Sequence, residues 1–92
     1  MDNFALLAEF LGTFLLIVTV YASGGNPAAI GGILAVIVFL IGEISGAHVN
    51  PAITFSLLIA KKIELTEALG YVGVQLLGGT AAYIAYKAVS KV

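Results

Sequence analysis

The chain has no cysteine, a single histidine, two prolines and few charges: four Lys or Arg and five Asp or Glu in 92 residues. Without cysteine there is no disulfide framework and no thiolate metal site, and the redox compartment stays open. The net charge of −1 leaves no basic patch for nucleic acid. A charged fraction of 10%, against about a quarter in soluble chains, excludes a soluble domain with polar helix faces. No activated nucleophile, metal cluster or phosphate-binding loop points to an enzyme, and nothing calls for a cofactor. The start Met1-Asp2-Asn3 is not basic and Glu9 interrupts the first apolar run, which argues against a cleaved signal peptide.

What is present is apolar: 61% of the residues are hydrophobic, with a mean hydropathy of +1.12. Three segments, about 4–21, 28–44 and 66–88, are long enough to cross about 30 Å of hydrocarbon at 1.5 Å per residue. Tyr21 at one end and Tyr83 and Tyr86 at another suit an interfacial aromatic belt. Asn26-Pro27 reads as the cap and first turn of the second helix, because proline is well tolerated there. An all-α integral membrane protein follows, in a plasma or bacterial inner membrane, with no soluble domain and no internal repeat.

The apolar pattern breaks at Ser45-Gly46-Ala47-His48-Val49-Asn50-Pro51-Ala52-Ile53-Thr54. The apolar stretch after the break, Ala52 to Ala60, is too short to span. A Gly/His/Asn/Pro loop leading into a short helix between two spans predicts a re-entrant loop and half-helix over about 45–61. Irregular backbone at membrane depth is tolerated only where protein covers it or where it lines a water-filled cavity. Such a layout puts Lys61, Lys62 and the N-terminus on one side of the membrane and Lys87 and Lys91 on the other. Two lysines on each side barely bias orientation under the positive-inside rule, so insertion in both orientations is expected.

The ten-residue break resembles the first signature loop of the aquaporin and glycerol-facilitator family. Ala8-Glu9-Phe10-Leu11-Gly12-Thr13-Phe14 is similar to that family's first helix, and Tyr71, Gln75, Gly78 and Gly79 to its third. The matches run in the family's order over nearly the whole chain. Family members resemble two inverted copies of this three-helix unit in one chain, with two Asn-Pro-Ala loops meeting at the midplane. This chain, 1–92, reads as a single half-repeat. Its loop then needs a second copy inserted upside down, related by a two-fold axis in the membrane plane. The resemblance further implies a tetramer of such pairs. A second Asn-Pro-Ala, at 26–28, lies in a Gly-rich connector with no half-helix after it, and helix capping explains it.

The resemblance implies a passive channel for water and for small neutral solutes such as glycerol. The half-helix points the positive end of its dipole at the membrane centre, where Asn50 adds amide donors that hold water by its oxygen. Pro51 suits the first turn, and Ala52 is small enough for two half-helices to abut. The carbonyls of Gly46, Ala47, His48 and Val49 are candidates for an acceptor ladder. Glu9 and Gln75 are expected to support the loop. By the family's spacing, the constriction takes Ile30 from one chain and Val38, Ala47 and Ile53 from its mate, giving an apolar neck without a fixed cation. Gly12, Gly42, Gly46, Gly70, Gly73, Gly78 and Gly79 are expected to permit close helix packing. Two other readings compete: a proton-coupled dual-topology carrier using Glu9, and a non-conducting half-repeat that pairs with a different chain.

Overall fold

The computed structural model describes residues 2–90. Its elements in chain order are α1 (Asn3–Ala22), α2 (Pro27–Ser45), α3 (Pro51–Ile59) and α4 (Leu65–Ser90). At about 1.5 Å per residue, the 20, 19 and 26 residues of α1, α2 and α4 reach about 30, 28 and 39 Å. All three are long and apolar enough to cross a membrane. The nine residues of α3 reach only about 13 Å, less than half the hydrocarbon thickness. Each spanning helix extends one or two residues past its apolar stretch, because polar ends such as Asn3, Ser45 and Ser90 still take helical backbone.

Local chemistry sets the boundaries. Asp2 caps α1, its Oδ1 accepting from the N–H of Phe4 at 2.9 Å and of Ala5 at 3.2 Å. Asn26 caps α2 by accepting from Ala29 N–H at 2.9 Å, with Pro27 in the first turn. Gly46 ends α2 in the left-handed conformation at φ 90° and donates back to the Gly42 carbonyl at 2.9 Å. Beyond the end of α3 at Ile59, Lys61 takes φ 61°, and the N–H groups of Lys61 and Lys62 bond to the Leu58 and Leu57 carbonyls.

α1 packs on α4 and on α2, and α3 packs on α4. The approach of α1 to α4 depends on Gly78, where an added Cβ would lie 2.6 Å from the Phe10 carbonyl oxygen. Gly12 similarly admits Val49 Cγ1 and Ile41 Cδ1, which would stand 2.8 and 2.9 Å from a Cβ there. At Gly73 nothing among the described residues lies within 4 Å of where a Cβ would be, so no other helix of this chain packs against it. The small apolar core joins Ile37, Ala47 and Val49. Ala5, Ala8, Ala68, Tyr71 and Ala82 are buried outside that cluster, together with six polar or charged residues: Glu9, Thr13, Ser45, His48, Thr54 and Gln75. Large apolar side chains such as Phe4, Phe39 and Leu77 point outward, as a lipid-facing surface requires.

The two ends of the bundle differ. Asp2, Glu64 and Glu67 share a cavity at the start of α1 and α4, next to the Lys61-Lys62 linker. At the far end Tyr21 packs on Tyr83 and Tyr86, ring centroids 5.4 and 5.5 Å apart, one turn from Lys87. Lys91 and the amine of Met1, which also entered the charge comparison, lie outside the described residues.

Candidate functional site

The site is built around one carboxylate. Glu9, fully buried, projects from α1 toward the segment that follows α2. Its Oε2 accepts from Ser45 Oγ at 2.7 Å and from the His48 N–H at 2.9 Å. Its Oε1 accepts from the Val49 N–H at 2.8 Å and from Gln75 Nε2 at 2.9 Å. Four donors therefore occupy the acceptor positions of an ionised carboxylate. Ser45 Oγ also accepts from the Ala47 N–H at 3.1 Å.

These bonds hold a backbone that the side chains alone would not choose. Ala47 and Val49 have φ of 50° and 43°, and a β-branched residue in that region is a clear outlier. Strain of this kind costs about 1–3 kcal/mol per residue and persists only when the surroundings over-determine it. Here the over-determination is the Glu9 carboxylate, with Ser45 beside it.

The same bonds aim the carbonyls. No peptide bond among the described residues is cis, and in a planar trans peptide the C=O points opposite to the N–H that follows it. The N–H groups of Ala47, His48 and Val49 all point to Ser45 Oγ or Glu9. The carbonyls of Gly46, Ala47 and His48 are consequently turned the other way. Val49 C=O has no such tie.

Around this loop the polar side chains form a directed chain. Gln75 Nε2 gives one hydrogen to Glu9 and the other to Thr54 Oγ1, each at 2.9 Å. Thr54 lies 2.9 Å from His48 Nδ1. The His48 ring lies against Tyr71, centroids 4.7 Å apart, and Tyr71 Oη donates to the Ser45 carbonyl at 2.7 Å. The network thus ties α1, α2, α3 and α4 together.

Asn50 caps α3, its Oδ1 accepting from Ala52 N–H at 2.7 Å, so its Nδ2 hydrogens face outward. Asn50 and Pro51 border a groove of about 550 Å³ that Thr13, Gln75 and Leu76 also line. Thr13 and Gln75–Leu76 lie near the midpoints of α1 and α4. The α3 tip therefore stands at mid-depth of the spans. Of the four constriction candidates, Val38 and Ile53 are exposed, Ile30 is half-buried, and Ala47 packs into the core with Ile37 and Val49. Ala52 is exposed at the tip.

Ser45, Thr54 and Thr13 were not singled out by sequence reasoning. A signal was available: each is a hydroxyl within or beside a span, where a polar group must find a partner.

The Major intrinsic protein family matches residues 3–92. The chain belongs to that family. It is 42% identical over 89 residues to glycerol uptake facilitator protein-like 6 of Lactiplantibacillus plantarum, covering 88% of this chain and 41% of that protein. Aquaporin PIP2-7 of Arabidopsis thaliana is 41% identical over 90 residues, covering 80% of this chain and 32% of the relative. Lens fiber major intrinsic protein of Gallus gallus is 41% identical over 88 residues, with 84% and 34% covered. The chain spans well under half the length of these relatives. It is an all-α integral membrane protein: three helices suited to crossing the membrane, with a short fourth that reaches mid-depth.

Proposed function

We propose that the chain forms one half of a passive channel for water and small neutral solutes, completed by an inverted copy of itself. The observation that carries this reading is the loop fastened to Glu9, with three consecutive carbonyls turned away from it and the Asn50 amide beside them at mid-depth. Carbonyl acceptors followed by amide donors suit a neutral molecule that both donates and accepts. The dipole of α3 adds positive potential at the same level, against cations. The names of the relatives, aquaporins and a glycerol uptake facilitator, accord with that substrate class.

In this reading residues 1–92 act as a single half-repeat. The inverted mate brings its own α3 to the midplane, so that Pro51 and Ala52 of the two copies abut. The neck takes Ile30 from one copy and Val38 and Ile53 from the other, while Ala47, packed in the core, contributes no side chain to it, and both mouths are alike. Four such pairs assemble around a common axis. Glu9 and Gln75 serve the loop rather than the permeant. Because donors fill every acceptor position of Glu9, taking up a proton would displace one of the four. That supports a channel over a proton-coupled carrier.

The test is osmotic flux. Liposomes holding the purified chain are expected to shrink quickly after a sucrose jump, with low activation energy and no response to a proton gradient. Asn50→Asp, which replaces the outward donors with a negative charge, is expected to lower that flux at least tenfold. Shrinkage no faster than bare lipid, from inserted and folded protein, rejects the self-sufficient channel.

A further inference from the structure

Val49 is held twice. Its N–H donates to Glu9 Oε1 at 2.8 Å, and its side chain, 3% exposed, enters an apolar socket between α1 and α2. Gly12 is the floor of that socket, where an added Cβ would stand 2.8 Å from Val49 Cγ1, 2.9 Å from Ile41 Cδ1 and 3.2 Å from Ile37 Cγ2. The two closest contacts are not equivalent. Ile41 Cδ1 is the far end of a side chain that can turn to another rotamer. Val49 Cγ1 sits directly on a branched Cβ whose χ1 is restricted, so a push on it passes to the backbone of the loop. Ile37, buried beside both, closes the opposite wall.

That backbone carries the groups at mid-depth. Ser45 and Glu9 hold the N–H groups of Ala47, His48 and Val49, and the first turn of α3 holds the Asn50 side chain. Between these two ties, the peptide joining Val49 to Asn50 has no hydrogen bond among the described residues. Val49 nevertheless keeps φ 43°, and both residues border the mid-depth groove. We propose that Val49 is a positioning residue for the pore: its side chain, seated on Gly12, fixes the turn that sets the Val49 carbonyl and the Asn50 amide at mid-depth. The proposal rests on the channel reading above and adds to it a side chain that acts from behind the loop. Gly12 is then small because the loop needs the room, and the fit of one methyl group decides where the permeant meets its donors and acceptors.

The test exchanges volume across the socket, with the whole chain in liposomes. Val49→Ala empties the socket and Gly12→Ala overfills it. Each is expected to lower water flux about three- to tenfold, as a small misplacement of a positioned group does. Each is also expected to change the glycerol-to-water flux ratio at least about twofold, which loss of folded protein alone would not do. Combining the two substitutions gives the socket a methyl from position 12 in place of those of Val49, and the double variant is expected within about twofold of wild type in both readings. Gly12→Ala with Ile41→Val relieves only the other close contact and is expected to stay impaired. Independent effects of the two substitutions, an unchanged flux ratio in both, or rescue by Ile41→Val in place of Val49→Ala overturns the socket. Where Gly12→Ala alone does not fold, a folded and conducting double variant supports the socket and an unfolded one overturns it. If wild type conducts nothing, the channel reading falls, and amide exchange at His48 and Val49 decides the socket by itself. Exchange that is faster in each single variant and restored in the double supports it; equal exchange throughout overturns it.

Discussion

Glu9 inverts the usual logic of a charge inside a membrane span. A carboxylate there is unfavourable unless paired or wet; this one is fully buried with no cation against it among the described residues, yet four donors surround it. Two of those are backbone N–H groups of a strained loop, so the charge acts as a template for main chain. Glu9→Gln keeps the shape but replaces one acceptor oxygen with a donor, setting N–H against N–H at the loop. At least one buried N–H then loses its partner, at a cost of about 1–3 kcal/mol. The expected result is a lower unfolding midpoint in detergent together with reduced flux, because the loop carbonyls lose their aim. Unchanged stability would mean that Ser45 and Gln75 hold the loop without the charge. The break before the short α3 was legible in the sequence because Gly, His, Asn and Pro stand out against apolar flanks. The partners of the loop were less so. Ser45 and Thr54 look like ordinary small polar residues, and only three-dimensional proximity makes them part of a network.

At the scale of elements, the two Asn-Pro-Ala segments show how little local geometry says about role. Both asparagines cap a helix with the side-chain oxygen, at 2.9 Å for Asn26 and 2.7 Å for Asn50. What differs is the setting: Asn26 follows Gly24 and Gly25 in an exposed connector, whereas Asn50 ends a loop buried at Ala47, His48 and Val49. The helix count and limits could be read from apolar length and caps, which are local properties. The packing could not. Seven glycines looked equivalent in sequence, yet Gly78 sits against the Phe10 carbonyl and Gly73 against nothing. Gly78→Ala is therefore expected to push α1 and α4 apart and cost about 1–3 kcal/mol. Gly73→Ala is expected to leave the monomer unchanged or stabilise it by up to about 1 kcal/mol, through helix propensity. Unfolding both variants in detergent checks the pair, and equal effects would remove Gly78 as the point of closest approach.

Seen whole, the molecule has an end with Asp2, Glu64, Glu67, Lys61 and Lys62, and another with three tyrosines and Lys87. With Lys61 and Lys62 toward one end and Lys87 and Lys91 toward the other in sequence, little orientational bias is expected. Single cysteines at Ser23 and at Ala60, probed in sealed vesicles with an impermeant thiol reagent, are each expected to label at about half of full yield. Replacing Lys61 and Lys62 by alanine is expected to shift the population toward the Lys87 end facing the cytoplasm. One-sided labelling of the unaltered chain would leave the inverted pair without the means to form in a cell.

The polar network also sets a schedule for synthesis. Glu9 waits for Ser45, 36 residues later, and for Gln75, 66 residues later. At about 5–20 residues per second, the second interval lasts roughly 3–13 s. Throughout that time the first helix exists without the partners that make its carboxylate tolerable in lipid. The nascent helix must therefore linger at the insertion machinery, or near the headgroups, until α4 emerges, and a ribosome stalled before Gln75 would leave it stranded there.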